Sequence, residues 1–125
     1  MRFSNARMSV MFESAKAFLG RKDIIGYACA RNVRVLGNEL TEYTRARNDL
    51  IEKYGKDVTD SDGNKTGQYS ISVNSPSFVD FASELDKFSN IEHEVDIFKI
   101  GYDNVVGELS GEEILSIDWM LEDTQ

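Results

Sequence analysis

With 125 residues, 41% of them apolar and 29% charged, the chain has the size and composition of one folded domain, residues 1–125. No apolar run approaches the roughly eighteen residues of a membrane span, and residues 1–19 lack the apolar block of a secretory signal. Cys29 is the sole cysteine, which excludes an internal disulfide and leads us to expect a reducing, cytoplasmic setting.

The net charge of −8 is unevenly distributed. Residues 1–54 hold ten Lys/Arg and six Asp/Glu, residues 55–91 three and six, and residues 92–125 one and ten. Such asymmetry suits the acidic end to a basic protein surface and the basic end to an anion. Mutual compensation within the fold or an oligomer is the plainer alternative.

In chain order, residues 4–19 place Met8, Met11, Phe12, Ala15, Phe18 and Leu19 at steps of three and four, an amphipathic helix stopped by Gly20. After a polar break, residues 24–54 carry a second and much longer helical pattern. Its seam runs through Cys29, Val33, Leu36, Leu40, Tyr43, Arg47, Leu50 and Tyr54. At 1.5 Å per residue this helix would span about 45 Å, more than a small domain covers, so Leu36, Leu40, Tyr43 and Leu50 are candidates for a homodimer seam. Gly26 and Gly37 within it point to close packing or a bend, and Asn32 to a buried polar contact that fixes register.

The stretch "KDVTDSDGNKTGQY" raises the question of a metal ion. With Gly63 at the sixth position of a calcium loop, Val58 falls at the first and Tyr69 at the twelfth, so both end ligands are missing. Asp57, Asp60, Asp62 and Asn64 are better read as loop chemistry, with Asp62, Gly63 and Asn64 turning a hairpin whose arms are 56–59 and 68–73. No metal and no cofactor is expected. Alternation of Tyr69, Ile71 and Val73 with polar residues predicts a half-buried strand there.

Ser75 and Pro76 open a third helix with a stripe of Phe78, Phe81, Ala82, Leu85 and Phe88, ended by Asn90. Residues 92–100 read as a strand. Ser110 and Glu113 form a capping box for a last helix containing Ile114, Leu115, Ile117, Trp119, Met120 and Leu121. The expected architecture is α+β and mostly helical: four helices, one of them long, with a small antiparallel sheet or hairpin.

Catalytic signals are weak. His93 is the one histidine and cannot build a zinc site with Cys29, and the common phosphate-cradle and nucleophile-elbow motifs do not occur. We therefore expect a non-enzyme without catalytic residues. Arg31, Arg34, Arg45 and Arg47 dot the long helix beside Tyr27 and Tyr43, yet the acidic balance argues against direct nucleic-acid binding.

The long helix ending "RNDLIEKYGKD", the "DGN" turn and the "EVDIFKI" strand before an acidic terminal helix together resemble small proteins of tailed bacteriophages. The resemblance implies viral origin and action in the host cytoplasm during infection, and it transfers no catalytic residue. It makes the leading expectation an inhibitor that occupies a bacterial defence protein, gripping it through the long helix or through Glu112, Asp118, Glu122 and Asp123. The alternative is a sponge for an anionic signalling nucleotide, held by Tyr27, Arg31, Arg34 and Tyr43. A phage assembly or structural protein is the third.

Overall fold

The computed structural model describes residues 1–123, the side chains of Asp57 and Val58 excepted. It is α+β and mostly helical, and it divides into two compact units: Met1–Leu40 together with the chain from Glu92 onward, and Thr41–Ile91.

The first unit begins with a short strand that has no counterpart in the sequence reading, β1 (Arg2–Ser4). Ser4 ends it and caps α1 (Asn5–Lys16), its hydroxyl accepting from the Arg7 N–H at 3.1 Å. Met8, Met11 and Ala15, at the expected helical spacing, are wholly buried, whereas Leu19 lies beyond the helix and is exposed. Asp23 caps α2 (Ile24–Glu39), accepting from the Gly26 N–H at 3.2 Å while its carboxylate pairs with Arg21 at 2.6 Å. The Arg21 hydrogen bond holds the Asp23 carboxyl below its ordinary range.

The single long helix is corrected to two. Leu40 departs from the helix at φ −87° and ψ −3°, and α3 (Thr41–Tyr54) starts after it. Gly37, Asn38 and the β-branched Thr41 are weak helix formers clustered at this point. Because Leu40 stays in the right-handed region, the apolar spacing runs through the break unchanged and hides it from the sequence.

Residues 92–100 are likewise divided. β4 (Glu92–Glu94) pairs antiparallel with β1, placing Phe3 opposite His93, and β5 (Ile100–Gly101) pairs in parallel with β6 (Leu121–Glu122). Between β4 and β5 the backbone of Phe98 is engaged by a side chain instead of a strand. The buried Asn32 amide donates to the Phe98 carbonyl at 2.9 Å and accepts its N–H at 2.8 Å.

The capping box is present at α5 (Gly111–Ser116), with Ser110 Oγ accepting from Glu113 N at 3.2 Å and Glu113 Oε1 accepting from Ser110 N at 2.9 Å. The last helix is shorter than its apolar pattern suggests. It ends at Ser116, and a 3-10 turn over Asp118–Met120 leads into β6. The core of this unit joins Ala15 and Phe18 to Ile25, Ala28 and Cys29 of α2, and these to Val105, Ile117, Met120 and Leu121.

The second unit contains α3, an antiparallel hairpin and α4 (Phe78–Ser89). The hairpin pairs β2 (Lys56–Thr59) with β3 (Lys65–Ser70), and its turn has Gly63 at φ +83°, where glycine is unstrained. Asp60 Oδ1 accepts from the N–H groups of Asp62 at 2.9 Å and Asn64 at 3.0 Å, as turn chemistry requires. The predicted half-buried strand of Tyr69, Ile71 and Val73 is corrected: β3 ends at Ser70, is exposed throughout, and Val73 is 72% exposed. Ser75 and Pro76 precede α4 in a turn, and its N-cap is Ser77, whose hydroxyl donates instead to the Tyr54 carbonyl at 2.9 Å. Asn90 ends α4 as expected. No helix among the described residues is long and apolar enough to cross a membrane.

Candidate functional site

The acidic third of the chain alternates anchors with carboxylates. Ile117, Met120 and Leu121 are buried, and the Trp119 Nε1 donates to Ser14 Oγ and to the Ser116 carbonyl, both at 3.2 Å. These contacts fix the backbone that carries Glu112 on α5, Asp118 on the 3-10 turn, Glu122 on β6 and Asp123 just beyond it. All four are exposed, and among the described residues none is in an ion pair. Glu113 is occupied by capping and Glu108 is approached by Arg21 at 3.4 Å, so neither is as free as these four.

Two large apolar side chains of the same third of the chain are also exposed. Leu115, expected in the terminal helix's apolar cover, is 71% exposed, and Val106 is 67% exposed. Leu115 follows Glu112 by three residues and therefore shares its side of α5. The signal was the breadth of the apolar pattern: Ile114 and Ile117 already supply the inward positions, leaving Leu115 without one.

Of the four residues expected to hold a nucleotide, two meet. Arg31 Nη1 donates to Tyr27 Oη at 3.3 Å, and the Arg31 guanidinium lies 4.9 Å over the ring of Phe98, a partner that sequence reasoning missed. Tyr27 and Phe98 pack edge to face at 5.7 Å. The pocket beside Arg31 measures about 180 Å³ and includes Asp96, so it is small for a nucleotide and opposes its charge. Arg34 is exposed on α2, and Tyr43 belongs to the second unit, its hydroxyl 2.9 Å from Ser89 Oγ.

The residues expected as a dimer seam are mostly buried within the chain. Leu36, Leu40 and Leu50 are 0%, 6% and 8% exposed within a single chain, and Tyr43 is half-buried, so these residues are not a free apolar face.

Cys29 is wholly buried, and burial pushes its thiol up to about 11, consistent with an apolar filler. His93 Nδ1 lies 3.1 Å from Glu39 Oε2 and ties β4 to the end of α2. No protein-family model, curated protein or solved structure matches the chain.

Proposed function

We propose that the chain is a phage-encoded binding protein that inhibits a bacterial host defence protein by covering a basic patch on its surface. The observation that carries this reading is the set of unpaired carboxylates Glu112, Asp118, Glu122 and Asp123 on elements anchored in the core, with Leu115 exposed beside Glu112. Fixed charges with an apolar neighbour suit protein recognition: the charges steer encounter and reject wrong partners, while the apolar group supplies dry contact. The attribution to a phage and to action in the host cytoplasm rests on the sequence resemblance. The sponge reading at Tyr27 and Arg31 is less favoured, because Arg31 is already stacked on Phe98 and Asp96 shares its pocket.

A pull-down from bacterial lysate, with the captured protein identified by mass spectrometry and repurified, tests the proposal. Binding by the wild type should fall at least tenfold in a variant with Glu112→Gln, Asp118→Asn, Glu122→Gln and Asp123→Asn, and should weaken as salt rises. Binding that survives these four substitutions while Arg31→Ala abolishes it would move the site to α2.

A further inference from the structure

We propose that the second unit has a small-molecule site at the base of its hairpin, suited to an organic phosphate of nucleoside monophosphate size. The site is independent of the acidic surface.

The pocket measures about 310 Å³, within the range of small-ligand sites. Its apolar wall is Tyr54, Ile71 and Pro76; across from sequence alone they could not be grouped, because they come from the end of α3, the segment after β3 and the turn before α4. Its polar lining includes Lys56, Ser70 and Asn74.

Charge decides the class of ligand. The chain has 22 acidic and 14 basic residues, yet this pocket includes a lysine and no carboxylate. The pocket beside Arg31 includes Asp96, and the groove beside Ile51 includes Glu52. Lys56 has no ion-pair partner among the described residues, and Ser70 no side-chain hydrogen bond, so an ammonium and a hydroxyl remain for an anionic group. Ser72 Oγ accepts from Asn74 N at 3.2 Å, which leaves its own O–H to donate. A phosphate needs several such donors, and the Tyr54 ring with Ile71 and Pro76 offers a flat apolar body a place to lie.

The floor is built of backbone. A Cβ on Gly55 would stand 2.4 Å from the Ile51 carbonyl oxygen and 2.5 Å from that of Ser70, so only glycine lets the end of α3 and the end of β3 approach this closely. Two bonds set the far wall: Ser77 Oγ to the Tyr54 carbonyl at 2.9 Å, and Ser75 N to the Ser72 carbonyl at 2.9 Å. These contacts order the segments around the cavity, while Ser72 Oγ and Ser75 Oγ take part in local turn bonds and Lys53 Nζ lies 5.0 Å over the Tyr54 ring.

The test is titration of the full chain with adenosine monophosphate, adenosine and inorganic phosphate, followed by amide chemical shifts. The nucleotide should bind saturably with a Kd below about 1 mM, with the largest shifts at residues 54–56 and 70–76. Adenosine and phosphate alone should each bind at least tenfold more weakly. Lys56→Gln should weaken the nucleotide about tenfold, the loss of one charge-assisted contact, and Ser72→Tyr, filling the mouth from an exposed position, should abolish binding. Both substitutions are at exposed sites, and an unchanged circular dichroism spectrum verifies their folding. Absence of shifts at about 10 mM nucleotide, equal affinity for phosphate alone, or binding unaffected by both substitutions would overturn the proposal.

Discussion

Asn32 illustrates what one residue can organise. Its amide satisfies both the N–H and the carbonyl of Phe98, so the segment between β4 and β5 is held without a strand partner. Leucine at this position keeps the volume but leaves two backbone groups without their partners. We predict that Asn32→Leu lowers stability by about 2–4 kcal/mol, read as a fall in the urea midpoint. An unchanged midpoint would show that water replaces the amide. The sequence marked Asn32 as a polar residue among Ala28, Ala30 and Leu36; the identity of its partner, 66 residues away, was not legible there.

At the scale of elements, α2 contains two glycines that the sequence treats alike and the fold does not. A Cβ on Gly26 would lie 2.1 Å from the Arg21 carbonyl oxygen, where the chain folds back against the first turn of the helix. On Gly37 it would meet only the edge of the Phe12 ring, at 3.3 Å. Gly26→Ala should therefore destabilise by about 2 kcal/mol or more through overpacking. For Gly37→Ala the gain of about 1 kcal/mol in helix propensity should offset a small displacement of the ring, leaving stability nearly unchanged. Thermal melts of the two variants compare them directly, and a larger loss for Gly37→Ala would refute the assignment.

At the scale of the molecule, the leucines of the heptad-like seam are buried: Leu36 and Leu40 in the first unit and Leu50 in the second. Leu40 is 6% exposed and Tyr43 bonds Ser89, so introducing charge there attacks the fold and not an association surface. We predict that Leu40→Glu with Tyr43→Glu costs about 3 kcal/mol or more, with a lower melting temperature and no change in the mass of the folded species. Light scattering and circular dichroism together decide: a halved mass at unchanged stability would restore the seam as a dimer interface.

Local chemistry was readable from the sequence. Helical spacing located α1, α4 and the helical stretch 24–54 but not its division into α2 and α3, the Ser110–Glu113 pair located the start of α5, and Asp62, Gly63 and Asn64 located the hairpin turn, because each of these depends on residues a few positions apart. So did the acidic character of the last third, since charge is a property of residues and not of contacts. The rest depended on distant partners. β1 exists because it meets β4 across ninety residues of chain, and the predicted strand over 92–100 breaks because Asn32 takes the backbone of Phe98. Apolar residues become either core or surface only when a neighbour arrives: Leu36 is enclosed and Leu115 is left in solvent, though both sit in helical apolar patterns. Only tertiary packing, which removes one side chain from water and not the other, made that choice.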